Sequence, residues 1–164
     1  MKKFIISLLF VFVAIGAHAQ VTYNVRVGGG VGTDKCGDAL AVAAPQIQCN
    51  IPFRKGSHFT FSPSVMLATD FCDVIHLVVP LTVGYKVKAG NNGIFFPKAG
   101  VAVGGELLEG GIIIGPAVGL DYEIKHFVVG LNLYQSGVTT EYDDYYDYYH
   151  FNHFGANLTV GYKF

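Results

Sequence analysis

The side chains best suited to metal binding lie in the segment TTEYDDYYDYYHFNH, residues 139–153. Asp147, His150 and His153 follow one another at three-residue spacing, which would place them on one face of a helix. A zinc site requires a fourth ligand, and the segment supplies no complete set. These three residues are the nearest approach to a metal site, and the sequence predicts neither a bound metal nor a cofactor.

The same segment has the composition of a binding surface. Tyrosine supplies a large, stiff contact area with a hydrogen-bonding tip, and clustered carboxylates attract divalent cations or a basic partner. The candidate loop binding surface comprises Glu141, Tyr142, Asp143, Asp144, Tyr145, Tyr146, Asp147, Tyr148 and Tyr149. The alternative is a solvated loop that has no partner.

A hydrolytic site would require a nucleophile, a base and a group that orients the base. Ser136, His150 and Glu141 are the nearest such set along the chain. Ser136 has the parity of the polar face of its predicted strand, whereas the other two residues belong to the loop. The three do not assemble into a catalytic geometry, so the sequence predicts that the protein is not an enzyme.

Six charged residues lie on the less apolar face of alternating segments. If that face points inward, the charges must be paired or hydrogen-bonded, because an isolated buried charge is very costly. The predicted network comprises Lys86, Lys98, Asp121 and Glu123, with Arg26 and Lys163 nearer the first strand. Its expected role is a structural plug, and the alternative is a path for protons or ions.

The elements that must position these residues are β-strands, since apolar and polar residues alternate between closely spaced turn signals such as residues 89–93. Eight strands are predicted, at about 21–32, 39–53, 58–69, 74–88, 94–105, 112–124, 127–137 and 154–164. Connections after the even-numbered strands are short, and the others are longer or more polar. This pattern predicts an all-β fold, a closed antiparallel up-and-down transmembrane β-barrel.

The N-terminal residues have the features of a secretory signal peptide. Lys2 and Lys3 precede an apolar run over residues 4–15, and Ala17-His18-Ala19 is typical of a cleavage site. We therefore expect a signal peptide at residues 1–19 and one barrel domain at residues 20–164. Without Lys2 and Lys3, 9 of the 11 basic residues remain against 12 acids, a net charge of about −3 that predicts no nucleic-acid partner.

Three observations favour a membrane barrel over a soluble lipocalin-like barrel. The chain is 51% hydrophobic and only 14% charged, and the apolar face of the predicted strands carries no charge. Ten of the 12 acids fall near the longer loops, whereas most basic residues fall near the short turns. The turn-side ends carry one aromatic ring per strand, as an aromatic girdle requires: Tyr23, Phe53, Phe59, Tyr85, Phe95, Tyr122, Phe127 and Tyr162.

The chain resembles the small eight-stranded outer-membrane β-barrel proteins of the PorT and OmpX type. The segments that carry the resemblance are HLVVPLTVGYKV at 76–87, GPAVGLDYEI at 115–124 and LTVGYKF at 158–164. The resemblance implies that Tyr162 and Phe164 form an insertion signal that the barrel-assembly machinery reads. It implies no catalytic residue.

Three cysteines follow the predicted signal peptide, so one internal bridge at most can form. Cys36 and Cys72 both fall in predicted external loops and are the candidate disulfide, with two free thiols as the alternative. Cys49 has the parity of the lipid-facing side, where a thiol behaves as a small hydrophobe.

The sequence therefore predicts an outer-membrane protein with both termini in the periplasm. The expected function is a non-enzymatic surface, envelope or binding role of the acidic, tyrosine-rich loops. The expected partners are outer-membrane lipid, lipopolysaccharide, the barrel-assembly machinery and a protein at the external loops. The alternatives are a narrow channel, an accessory of a secretion or assembly complex and, least favoured, a lipid-modifying enzyme.

Overall fold

The computed structural model describes residues 21–33, 39–69, 75–107, 111–140 and 149–164. The expected signal peptide and the candidate disulfide, Cys36 with Cys72, lie outside these residues. Within the described ranges, no helix is long and apolar enough to cross a membrane. The strands are β1 (Thr22–Thr33), β2 (Ala39–Ala43), β3 (Gln46–Pro52), β4 (Phe59–Thr69), β5 (Ile75–Tyr85), β6 (Val87–Ala89), β7 (Gly93–Glu106), β8 (Gly111–Ile124), β9 (Phe127–Thr140) and β10 (Tyr149–Lys163).

These ten segments form eight barrel strands, because two of the predicted strands are interrupted. β2 and β3 are separated at Ala44-Pro45, where the ring nitrogen of proline has no hydrogen to donate. The carbonyl of Pro45 still accepts a hydrogen bond from the Leu67 amide at 3.1 Å, which keeps this strand against its neighbour. β5 and β6 are separated at Lys86, whose amide donates to the His58 carbonyl at 2.9 Å.

Every pairing between neighbouring strands is antiparallel, and the sheet closes on itself. The order runs β10, β9, β8, β7, β5, β4, then β3 with β2, then β1, and β1 pairs again with β10. The closing register runs from Asn24 opposite Lys163 to Gly32 opposite Gly155. The predicted closed eight-stranded antiparallel barrel is confirmed, because the pairing of β1 with β10 joins the two ends of the sheet.

The last hairpin is longer than the sequence pattern predicts. β9 continues to Thr140 and β10 begins at Tyr149, which pairs with Thr140. The predicted strands ended at residue 137 and began again at residue 154. Tyr149, His150 and His153, which the sequence pattern predicts to lie in the loop, therefore belong to a strand by their backbone pairing.

Where its side chains are described, the outer surface of the barrel is predominantly apolar. The side chains of Val27, Leu158 and Phe127 are 68%, 58% and 64% exposed, and the intervening residues point inward. A water-soluble monomer rarely exposes a contiguous apolar patch larger than a few hundred Å². An apolar belt around a closed wall is the surface that a lipid bilayer requires.

The interior has an apolar layer and a polar layer. The apolar layer lies in the half of the barrel near the long connections and consists of Ala44, Met66, Val78, Ala102, Ile113, Ala117 and Tyr134. The polar layer lies nearer the short turns and includes buried Arg26, Lys98, Asp121 and Glu123. The two layers together fill the lumen, as expected for a barrel of eight strands.

The connections at 53–58, 86–92 and 125–126, the second of which contains the short strand β6, share one end of the barrel with residues 21 and 164, and we call it the turn end. Gly56 and Gly90 have φ values of 77° and 67°, which a glycine adopts without steric cost in these tight turns. Aromatic rings of adjacent strands touch here, such as Phe59 with Tyr85 at 4.8 Å and Phe95 with Tyr122 at 5.4 Å between ring centroids. These contacts form the aromatic belt at the turn end.

A lysine introduced on the outer surface should destabilise the barrel according to its depth. Leu158 is 58% exposed on the outer wall, and Ile124 is 42% exposed beside a turn. In a bilayer, Leu158→Lys should lower the free energy of unfolding by about 2–4 kcal/mol and Ile124→Lys by about 1 kcal/mol or less. Urea titrations in phospholipid vesicles, followed by circular dichroism, measure the difference; equal tolerance of both lysines would indicate that water surrounds the wall.

Candidate functional site

The centre of the polar layer is a buried carboxylate held by two cations. The guanidinium of Arg26 donates from Nη1 to Asp121 Oδ1 at 2.7 Å and from Nη2 to Asp121 Oδ2 at 2.8 Å. The ammonium of Lys98 lies 2.8 Å from Asp121 Oδ2. The side chains of Arg26 and Asp121 are both 0% exposed. This bidentate geometry is the arrangement in which a buried ion pair best offsets its desolvation.

Glycines on adjacent strands make room for these side chains. Arg26 is opposite Gly161 across the β1–β10 seam, and Asp121 is opposite Gly130 on β9. A Cβ at Gly130 would lie 2.5 Å from Arg26 Nη1 and 2.7 Å from Asp121 Oδ1. The ion pair therefore lies directly against the backbone of β9, and any larger side chain there would displace it.

Amide and hydroxyl groups from the neighbouring strands surround the ion cluster. Lys98 Nζ donates to Gln48 Oε1 at 2.7 Å, and Gln48 Nε2 donates to Asn50 Oδ1 at 2.6 Å. Ser62 Oγ donates to the same Asn50 oxygen at 2.8 Å. The amide of Asn24 satisfies its neighbours when its oxygen faces the guanidinium, where it accepts from Arg26 Nη2 at 2.9 Å. The cluster is thus a connected network rather than an isolated pair.

A second carboxylate, Glu123, lies nearer the turn end. Lys163 Nζ donates to Glu123 Oε2 at 2.6 Å, and Lys86 Nζ lies 3.8 Å from Glu123 Oε1. Glu123 is 1% exposed, whereas the two lysine side chains are 19% and 21% exposed. Lys86 also lies over the ring of Phe96, 5.3 Å from its centroid. Solvent therefore reaches the cations of this cluster but not its carboxylate.

The structure brings all six predicted interior residues into contact in these two clusters. The predicted network places Arg26 and Lys163 nearer the first strand than its other four members, and in the structure these two residues each contact an acid directly. The six residues carry four positive and two negative charges, a net of +2. Each cluster holds two cations and one carboxylate, so each contributes one of the two excess positive charges.

Sequence reasoning missed the uncharged members of the network. Gln46, Gln48 and Asn50 alternate along β3 and are all buried. They are in register with Asn24 and Arg26 of β1, because Asn24 pairs with Gln48 and Arg26 with Gln46. The alternation of Gln46, Gln48 and Asn50 in the sequence could have indicated these members. They were missed because the predicted network includes charged residues only.

The remaining sequence candidates lie at the other end of the barrel. Residues 141–148, including Asp147 and most of the loop binding surface, lie outside the described residues. The backbone register pairs His150 with Thr139 and His153 with Ser136. Among the described residues, no three His, Cys, Asp or Glu side chains form a group that could hold a metal ion.

The two insertion-signal residues lie at the turn end. Tyr162 is 42% exposed and packs edge-to-face against Phe127 at 6.1 Å between centroids, while Phe164 is 70% exposed. The Phe164 amide donates to the Tyr23 carbonyl at 2.8 Å, so the end of β10 is hydrogen-bonded to the start of β1. Cys49, predicted to face lipid, is a free and partly exposed thiol.

No family model matches the chain, and no curated protein matches it in sequence. Among solved structures, Neisserial surface protein A aligns with a TM-score of 0.62 at 10% identity, over 87% of this chain and 95% of that protein. Ail, the attachment invasion locus protein of Yersinia pestis, aligns with a TM-score of 0.50 at 11% identity, over 88% of this chain and 97% of Ail. The structure of Ail in complex with the heparin analogue sucrose octasulfate aligns with a TM-score of 0.51 at 13% identity, over 88% of this chain and 99% of Ail.

The fold and the filled interior define a small, closed, eight-stranded β-barrel of the architecture seen in those bacterial surface proteins. At these identities the likeness concerns the fold. The narrower resemblance to the PorT and OmpX type stays a prediction.

Removal of the Asp121 charge should destabilise the barrel strongly. Asp121→Asn leaves Arg26 and Lys98 buried without their counter-charge, and we expect a loss of about 3–5 kcal/mol in the free energy of unfolding. Glu123→Gln is the matched control and should cost less, because water reaches Lys86 and Lys163. Urea unfolding in vesicles measures both variants.

A double-mutant cycle separates the pair from its surroundings. Arg26→Met combined with Asp121→Asn should lose less stability than the sum of the two single variants. The reason is that Arg26→Met removes one of the two cations that Asp121→Asn leaves without a counter-charge. Additive losses, or an Asp121→Asn barrel as stable as the wild type, would contradict the ion pair.

Proposed function

We propose that this protein is an integral outer-membrane β-barrel with a closed lumen, which acts through its loops as a non-enzymatic surface module. The observation that carries the proposal is the combination of an apolar outer wall with an interior filled by paired side chains. Such a barrel presents its loops rigidly and offers no wide aqueous path.

The proposed orientation follows from the turn end. The aromatic belt there marks a membrane interface, and tight turns such as residues 125–126 are typical of the periplasmic side of such barrels. Both termini then lie in the periplasm, and residues 1–19 act as the export signal. The loops predicted to be longest and most acidic face outward from the cell.

The last strand supports a proposed role in assembly. Tyr162 and Phe164 are exposed on the outer wall at the end of the strand that closes the ring. We propose that the barrel-assembly machinery reads these rings before β10 pairs with β1. Their exposure after closure is then explained by their place in the aromatic belt.

The filled lumen argues against a channel. The apolar layer includes Met66, Val78 and Ile113, which are at most 1% exposed, and the ion clusters close the lumen nearer the turn end. Water and ions would have to cross both layers. A conducting path would therefore require rearrangement of the core.

The protein inserted into planar lipid bilayers should be silent at all applied voltages. A variant lacking residues 141–149 should be silent too, because the proposed block lies in the lumen and not in the loop. Single-channel recording measures both. Reproducible conductance steps from either protein would favour the narrow-channel alternative.

The proposed binding surface is the segment 141–149, which comprises the loop between β9 and β10 and the first residue of β10. This segment contains four acids and five tyrosines. Clustered carboxylates favour a basic partner, or calcium ions that bridge the loop to lipopolysaccharide phosphates. Ail has been solved with a sulfated heparin analogue; the acidic loop of this chain predicts the opposite charge preference.

Neutralising the loop should abolish this binding. The protein in phosphatidylcholine nanodiscs should bind a sensor coated with lipopolysaccharide in the presence of calcium, or one coated with a lysine-rich peptide. A variant with E141Q, D143N, D144N and D147N should lose at least tenfold in affinity, because it keeps the tyrosines but removes the charges. A variant with Tyr145→Phe is the charge-neutral control; binding to neither sensor by the wild type would contradict the proposal.

A further inference from the structure

The turn end carries exposed positive charge that no nearby acid neutralises. Arg54, Lys55, Lys88 and Lys125 are exposed on its three short connections. In the described part of the chain, none of them forms an ion pair. The acids of this half of the barrel, Asp121 and Glu123, are 0% and 1% exposed and already bind interior cations. Arg54, Lys55, Lys88 and Lys125 therefore form a positive rim at the turn end, and no described acidic side chain pairs with it.

The cations lie next to the exposed rings of the aromatic belt. Phe53, which is 63% exposed, immediately precedes Arg54, and Phe127, which is 64% exposed, follows Lys125 by two positions. Aromatic rings of this kind lie at the boundary between acyl chains and headgroups. The cations on the turns just beyond the rings are thus at the depth of lipid phosphate groups.

Two equivalent contacts hold this rim in place. His58 Nδ1 contacts the Lys86 carbonyl at 2.9 Å, and its ring lies 5.4 Å from the ring of Tyr85. His126 Nδ1 contacts the Lys163 carbonyl at 3.2 Å, and its ring stacks on Tyr162 at 5.4 Å.

The chain repeats the same short sequences at both places. Val-Gly-Tyr-Lys occurs at 83–86 and at 160–163, and His-Phe occurs at 58–59 and at 126–127. In each copy the histidine joins a turn to the neighbouring strand. Arg54, Lys55 and Lys125 are therefore carried on ordered turns, and Lys88 lies in the paired strand β6. Little further ordering of the backbone is required when these cations bind a ligand.

We infer that the turn end binds the phosphate groups of anionic phospholipids of the phosphatidylglycerol type. The ligand must be anionic because the rim is uncompensated, and it must lie in the plane of the aromatic belt. A phospholipid headgroup meets both conditions, and each basic residue near an anionic leaflet adds to the attraction. The inference rests on the proposed membrane location and adds a lipid preference to it.

The test uses the protein refolded into nanodiscs of equal phosphatidylcholine and phosphatidylglycerol, with the retained lipids counted by native mass spectrometry. The wild type should retain phosphatidylglycerol in preference to phosphatidylcholine. A variant with R54Q, K55Q, K88Q and K125Q should lose about tenfold or more of that preference. The matched control, with R54K, K55R, K88R and K125R, keeps every charge and should keep the preference.

Three results would overturn the inference, and only the last of them would also overturn the proposed membrane location. A wild type that inserts but retains the two lipids equally overturns the inference while leaving the proposed barrel intact, as does an unchanged preference in the glutamine variant. In that case the rim would fit an acidic periplasmic protein instead. A chain that does not enter the bilayer overturns both the location and the inference.

Discussion

A bilayer interior offers no hydrogen-bond partner to a peptide group, and the architecture of this protein follows from that constraint. Each N–H and C=O within the apolar belt must pair inside the chain, so the sheet has to close. Closure is achieved between β1 and β10 over the register Asn24–Lys163 to Gly32–Gly155. Since side chains alternate across a strand, closure also sends half of them into a narrow lumen.

The narrow lumen imposes the strictest packing requirements of this fold. A barrel of eight strands leaves little room, yet it must hold Arg26, Lys98 and Asp121. Glycines opposite these residues, including Gly130 and Gly161, let the long side chains lie across the wall. Pairing with Asp121 offsets the cost of burying two cations, and the side-chain oxygens of Asn24 and Gln48 accept further hydrogen bonds from Arg26 and Lys98. The same packing that stabilises the interior closes it to ions.

Most of the fold could be predicted from local pattern, because alternation and turn residues are encoded within a few positions of each other. The interruption at Pro45 was missed because the alternation continues through it, although proline cannot donate to the ladder. The early start of β10 at Tyr149 was missed because it depends on pairing with Thr140 across the hairpin. For the site, the alternation of side chains along each predicted strand was enough to place six charged residues inside the barrel. It could not show which of them meet, because the contact of Arg26 with Asp121 joins residues 95 positions apart and depends on the register of every strand between them.

The central claim is that acyl chains surround the outer wall while the inward-facing side chains form a dry core. Nuclear Overhauser contacts between lipid methylene protons and protein methyl groups, measured on the protein in nanodiscs, test it most directly. The account predicts strong lipid contacts at Val27, Leu131 and Leu158, which are exposed on the wall, and none at Val78, Ile113 and Val128, which are 0% exposed. Lipid contacts at the second set, or water contacts throughout the first, would contradict it.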